Sequence, residues 1–212
     1  MTSGERATAD AQRVYHHGNL RRVLLDAALA RFAERGTLDF TLRELARDVG
    51  VTHNAPYRHF ASKADVVVAL GEEGVARLAL AAGAALATAG ADPRARVVAL
   101  GEAYVGFALD EPLYFRLVLT RPVGRGAAAS DPLRLLEATL EEARVAGVAR
   151  DDLSARELAV AAWSLVHGFA SLVASGRLPR RAARLKRTSE ILGEIFWTGA
   201  ARPKGSRKRA AS

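Results

Sequence analysis

The sequence predicts an all-α protein of about nine helices, and three observations carry that expectation. Apolar residues recur at steps of three and four through every long segment. No segment shows sustained period-two alternation or hairpin turn chemistry. The interruptions fall where Gly and Pro collect, at Gly50, at Gly90-Ala-Asp-Pro93 and at Asp110-Glu-Pro112.

Residues 1–14 read as a flexible polar arm. A helix is expected over 19–36, with Leu20, Leu24, Ala28 and Phe32 at i+4 spacing. The next covers 41–49, with Thr41 as N-cap and Leu42, Leu45, Ala46 and Val49 facing inward. Gly50 supplies positive φ at a bend, Val51 plugs the corner, and Thr52 caps a second short helix over 52–59. Ala55 and Phe60 return to the core. Ser62, with Asp65 in the first turn, opens a long helix over 62–89. Asp92-Pro93 starts another that runs to about Leu109. A short aromatic helix, Leu113 to Leu119, precedes a loop over 120–130. Helices then follow at 131–146, 154–175 and 179–197, before a basic tail, 201–212, that cannot bury a core and is expected to be disordered.

The composition permits a sizeable core, since half of the 212 residues are hydrophobic. Cysteine is absent, which removes disulfides and thiolate metal sites. The N-terminus lacks the apolar core of a signal peptide, and no run approaches a membrane span, so a cytoplasmic protein with no membrane partner is expected. Charge is uneven. Residues 13–63 carry nine basic groups against five acidic ones, and four of the five histidines. Residues 64–200 are neutral, with sixteen of each sign, and 201–212 hold five basic groups and no acid. Positive charge so placed attracts phosphates and releases their counterions.

The two short helices about Gly50 have the form of a helix-turn-helix. Burying Ala55 and Phe60 leaves His53, Asn54, Tyr57, Arg58 and His59 as polar groups available for contact. A helix placed this way can enter the roughly 12 Å major groove of B-DNA. The alternative is an ordinary helical hairpin with a solvated polar face.

The flanks add to this. The preceding amphipathic helix, the pattern Tyr57-x-x-Phe60-x-x-Lys63 and the arm Tyr15-His-His-Gly-Asn-Leu20 together closely resemble the TetR family of bacterial transcriptional regulators, over roughly Tyr15 to Leu70. Pro56 stands where an apolar residue is common in the family, and is tolerated in a first helical turn, which it would make short and stiff. The resemblance implies a helix-turn-helix DNA-binding domain over 15–63 and a helical effector-binding and dimerisation domain over 64–200. It implies that Thr41 doubles as a phosphate contact and that Arg43 reaches a phosphate or a guanine edge. Thr52, His53 and Asn54 then lie at the groove-facing start of the recognition helix, with Asn54 suited to adenine and His53 to a guanine acceptor. Tyr57, His59 and Lys63 clamp the backbone, and Arg58 can do either job. Tyr15, His16 and His17 are expected to touch the backbone or minor groove. They are not a metal site, since adjacent histidines diverge on a helix and no carboxylate or cysteine cluster joins them.

Beyond residue 90 the aromatics Tyr104, Phe107, Tyr114, Phe115 and Trp163 stand out. Trp163, Val166, Ala170 and Val173 make one helical stripe, with His167 four residues after Trp163. Trp163-x-x-x-His167-Gly168 resembles the WHG-type effector and dimerisation domain of some TetR-like regulators. These aromatics and His167 are the candidate effector contacts, with ordinary core packing as the alternative. Leu185, Leu192, Ile195 and Phe196 form a further stripe, beside the small residues Ala161, Ala162, Gly168 and Ala170. In the resembling family the last two helices form a four-helix bundle with a symmetry mate.

The expected function is therefore a homodimeric repressor on a palindromic double-stranded operator, released by a small apolar effector. The alternative is an effector-independent architectural or partner-recruiting DNA binder, favoured if the body holds no cavity. An enzyme is not expected, because no phosphate loop, paired nucleophile and base, or metal-ligand spacing is present, and no cofactor or metal is implied.

Overall fold

Helix ends in this chain fall where the sequence supplies caps. The computed structural model describes residues 19–120, 132–179 and 182–201. Among them stand eight α-helices and one 3-10 turn, with one isolated antiparallel bridge between Ala149 and Ala201. The described residues divide into two compact units, 19–73 with 116–120, and 74–115 with the remainder. The arm residues Tyr15, His16 and His17, residues 121–131, which hold all of the expected loop 120–130 except the helical Thr120, and residues 202–212 lie outside the described residues.

In the first unit, α1 (Leu20–Arg35) closes on Gly36, whose φ of 70° suits a residue without Cβ and whose N–H reaches the Phe32 carbonyl at 2.9 Å. Thr41 starts α2 (Leu42–Asp48) with a capping box. Its hydroxyl accepts from the Glu44 N–H at 3.2 Å, and the Glu44 carboxylate accepts from the Thr41 N–H at 2.8 Å. Gly50 then takes a φ of 71°, and the Val51 N–H reaches back to the Ala46 carbonyl at 2.9 Å.

The second helix of the motif differs from expectation. Only Pro56–Arg58 is helical, as a single 3-10 turn, and Ala55 rather than Thr52 is its N-cap. Pro56 has no N–H to give the Thr52 carbonyl, so an α-helix starting at Thr52 would lack that bond. The Thr52 carbonyl instead accepts from the Ala55 N–H at 2.9 Å. Pro56 is fully buried and so also fills the core position.

The long helix α3 (Lys63–Thr88) opens as expected from Ser62. The Asp65 N–H donates to Ser62 Oγ at 3.3 Å, and the Ser62 N–H donates to the Asp65 carboxylate at 2.8 Å. Leu24, Ala28, Phe32, Leu45, Phe60, Val66 and Leu70 form the core of this unit, each large side chain stabilising it by about 1.5–3 kcal/mol. Arg31 is buried among them. Its guanidinium donates to both oxygens of Asp48 and stands 3.5 Å from Glu44, which ties α1 to α2. Residues 116–120 pack here too, and the Arg116 guanidinium donates to the Gly36 carbonyl at 2.6 Å from a position 4.5 Å over the Phe32 ring.

The second unit holds the end of α3, then α4 (Pro93–Asp110), the start of α5 (Pro112–Thr120), α6 (Pro132–Val145), α7 (Ala155–Ala174) and α8 (Ala182–Ala200). Asp92 caps α4, and Ser154 with Glu157 forms a second capping box at α7. Helix α7 packs against α4, α6 and α8 around Val97, Leu100, Leu136, Leu140, Leu158 and Trp197. Gly193 lets α8 approach α4, since a Cβ there would stand 3.0 Å from Val98. The last carbonyls of α8 are satisfied by Arg150, whose N–H donates to Ala200 at 2.8 Å and whose side chain donates to Gly199 at 3.1 Å.

One further expectation needs correcting. Helix α7 is long and apolar enough, by length and composition, to cross a membrane, although no such run was anticipated. Its apolar residues are divided between two faces. Ala155, Leu158, Ala159, Phe169, Ala170 and Val173 are buried, whereas Val160, Leu165 and Leu172 are exposed, and together they remove the polar stripe that marks an ordinary surface helix.

Candidate nucleic-acid interface and effector cavity

All nine candidate DNA contacts, Thr41, Arg43, Thr52, His53, Asn54, Tyr57, Arg58, His59 and Lys63, are exposed. The core explains why: Leu42, Leu45, Ala46, Pro56 and Phe60 take the inward positions of the same segment and leave the polar ones outside. Tyr57 is 49% exposed, which is high for an aromatic ring. The Lys63 ammonium stands 5.4 Å over the Phe40 ring, which places the charge at the first residue of α3. Thr41 is less free than its exposure suggests, because its hydroxyl donates to Glu44 at 3.0 Å while accepting from the Glu44 N–H. The acids beside these groups are engaged internally. The Thr41 backbone N–H holds Glu44 below the usual carboxylate range, and the Arg31 guanidinium does the same for Asp48. Among the described residues no group of His, Asp or Glu could hold a metal ion.

The second unit contains an apolar cavity of about 80 Å³, several times the roughly 10–15 Å³ that one water needs. Its walls come from α3, α4, α6, α7 and α8, with Leu100, Leu136, Val166 and Phe196 among the apolar lining. Of the six candidate effector residues, Tyr104 and Trp163 line it. Phe115 and His167 pack against Tyr104, at ring-centroid distances of 5.7 and 6.2 Å, and His167 also lies 5.7 Å from Trp163. Phe107 and Tyr114 are buried away from the lining, with the Arg77 guanidinium 4.5 Å over the Tyr114 ring. The Tyr104 hydroxyl and His167 Nδ1 are 3.0 Å apart, and Ser171 Oγ is 3.3 Å from Nε2. Burial pushes the Tyr104 phenol up, partly offset by the Trp163 indole, and burial pushes the His167 imidazole down.

Sequence reasoning missed Glu102 and Ser189, both of which line the cavity, and placed Leu192 and Phe196 on one stripe with Ile195. The structure separates them. Leu192 and Phe196 face the cavity, while Ile191 and Ile195 are exposed, so α8 carries two apolar faces rather than one. The side chain of Leu185 lies outside the described residues. On α7, Ala161 and Gly168 are on the open face, and a Cβ at Gly168 would meet nothing within 4 Å.

Two family profiles match the chain. One, described as bacterial regulatory proteins of the tetR family, covers residues 24–70, and the other, a tetracyclin repressor-like C-terminal domain, covers 97–192 and so includes Trp163, His167 and Gly168. The transcriptional regulator BetI of Rhizobium meliloti is 39% identical over 80 residues, which are 38% of this chain and only 39% of that relative. A solved structure of a protein of unknown function from Rhodococcus sp. RHA1 is 34% identical with a TM-score of 0.75, covering 89% of this chain and 98% of that one. Another, described as the molecular basis for control of antibiotic production by bacterial hormones, is 27% identical with a TM-score of 0.60, covering 86% and 97%. The helix-turn-helix about Gly50, the helical body and these matches to both of its parts lead to one assignment: the chain belongs to the TetR family of DNA-binding transcriptional regulators.

Proposed function

We propose that this chain is a homodimeric repressor that leaves a palindromic operator when a small, largely apolar molecule enters its helical body. The cavity carries the reading. A partly open apolar pocket suits a small ligand, and a body used only for architecture or partner recruitment does not need one. Tyr104 and Trp163 on its wall fit a ligand whose rings or chains are apolar. Two half-sites, read by two copies, would compensate for a recognition element of three residues. The exposed aliphatic residues Val160 and Leu172 on α7, with Ile191 and Ile195 on α8, support a second copy packed on these two helices. The effector acts by preferring the state with lower operator affinity. Control by a bacterial hormone belongs to the structural relative that is 27% identical, and here it supports only the class of mechanism.

The test is selection of duplexes from random DNA, followed by a compound screen scored on both thermal shift and operator release. An enriched palindrome released by a stabilising compound supports the reading. No enriched motif sinks operator binding, and compounds that stabilise without releasing DNA sink the effector role.

A further inference from the structure

We infer that the cavity selects a lipophilic amine: an apolar ring or chain bearing one protonated nitrogen. The inference rests on the reading of this cavity as an effector site, and adds the charge of the effector to it. Among the described lining residues one carries a formal charge, Glu102, and none is a Lys, Arg or His. The partners of Glu102 are also missing. Glu111, the C-cap of α4, is held by Arg77 at 2.6 Å, whereas no described cation pairs with Glu102.

Position strengthens the point. The ion pair Arg94–Glu194 and the close approach of Val98 to Gly193 bring α4 and α8 side by side. Glu102, one turn beyond Val98, and Ser189, one turn before Gly193, both line this otherwise largely apolar cavity. Neither is bonded to another described residue. The other polar group near the wall is already used, because the Tyr104 hydroxyl is held by His167. A protonated amine can donate to both Glu102 and Ser189, whereas an anion can accept only from the Ser189 hydroxyl and is repelled by the carboxylate. The rings of Tyr104, Trp163 and Phe196 suit the same choice, since their negative faces attract a cation and repel an anion. A neutral alcohol gains a bond to the hydroxyl but no charge-assisted bond to Glu102.

Titration calorimetry on the full chain with 1-naphthylmethylamine, 1-naphthalenemethanol and 1-naphthoate tests this, because the three share one apolar body and differ in the charge of the head. The amine should bind at least about tenfold more tightly than the acid. Glu102→Gln, at an exposed position that packing does not constrain, should weaken the amine by about tenfold and move the alcohol by less than about twofold. Ala162→Leu, which fills the lining, should weaken all three. If the acid binds as tightly as the amine, or Glu102→Gln leaves their ratio unchanged, the charge assignment falls while the cavity stands. If none of the three binds, or Ala162→Leu weakens none, the cavity reading falls with it.

Discussion

The Tyr104 hydroxyl and His167 Nδ1 stand 3.0 Å apart, and the two residues are 63 positions apart in sequence, on α4 and α7. With the proton on Nε2, the Tyr104 O–H donates to Nδ1 and Nε2–H donates to Ser171 Oγ. An imidazolium would make both nitrogens donors and deprive the Tyr104 O–H of its acceptor. Desolvation, which pushes the His167 imidazole down, acts in the same direction.

That pair predicts an acid-sensitive body. Because His167 has a lowered folded value, the unfolded chain binds more protons between that value and about 6.5. Stability from this group is therefore complete above about pH 6.5 and is lost as the pH falls below it. His167→Gln should be less stable at neutral pH but show a flatter pH dependence over that window. Urea unfolding at several pH values checks this, and an unchanged slope in the variant would assign the dependence elsewhere.

Arg31 gives a second test. Arg31→Met would leave the carboxylates of Asp48 and Glu44 beside an apolar side chain, at a cost of about 2–4 kcal/mol. Asp48→Asn should cost less, since Asp48 is one-third exposed. Both acids have lowered folded values, so the stability they confer is present above about pH 4 and disappears as the pH falls through those values. Arg31→Met should flatten the acid limb of the unfolding curve.

The two faces of α8 predict different failures. Ile195→Glu, at a position 59% exposed, should leave the single chain folded while raising the dimer dissociation constant by roughly a hundredfold or more. Leu192→Arg should instead lower stability, because it places a charge against the cavity. Sedimentation of the two variants beside the wild type separates these effects; a wild-type monomer at micromolar concentration would rule out the dimer.

At the helix-turn-helix, Lys63→Ala should weaken binding to all sequences about equally and reduce the salt slope by about 1. Asn54→Ala should cost about 1–3 kcal/mol on the preferred operator and relax one position per half-site. Binding isotherms over a panel of duplexes at several salt concentrations distinguish them. Equal behaviour of the two variants would overturn the division of roles.

The fold was largely legible because this chain marks its helices at their ends. Thr41, Ser62 and Asp92 all cap as their residue types suggest, and Gly50 takes the positive φ that its place between two apolar patterns requires. The second helix of the motif was drawn too long because hydrophobic spacing continues through Pro56 while the hydrogen-bond donor does not. The cavity was legible only in part. Trp163 and His167 share one helical face, yet only Trp163 reaches the lining, and the difference depends on which neighbouring helix closes over each residue. Nothing in the sequence pattern singles out Glu102 or Ser189, since periodicity does not separate a face turned to water from one turned to a pocket.

The brevity of the Pro56–Arg58 turn bears on how this surface attracts phosphate. A long recognition helix gathers aligned peptide dipoles into about half a positive charge at its N-terminus and offers free N–H groups there. Three residues align too few dipoles for that, and Pro56 removes one of the donors. From this turn, attraction then rests mainly on the formal charges near it, Arg43, Arg58 and Lys63, which mobile ions screen over about 10 Å at 0.1 M. Operator affinity in this protein should accordingly be tunable by ionic strength and by single basic residues to a degree that a dipole-anchored recognition helix would resist.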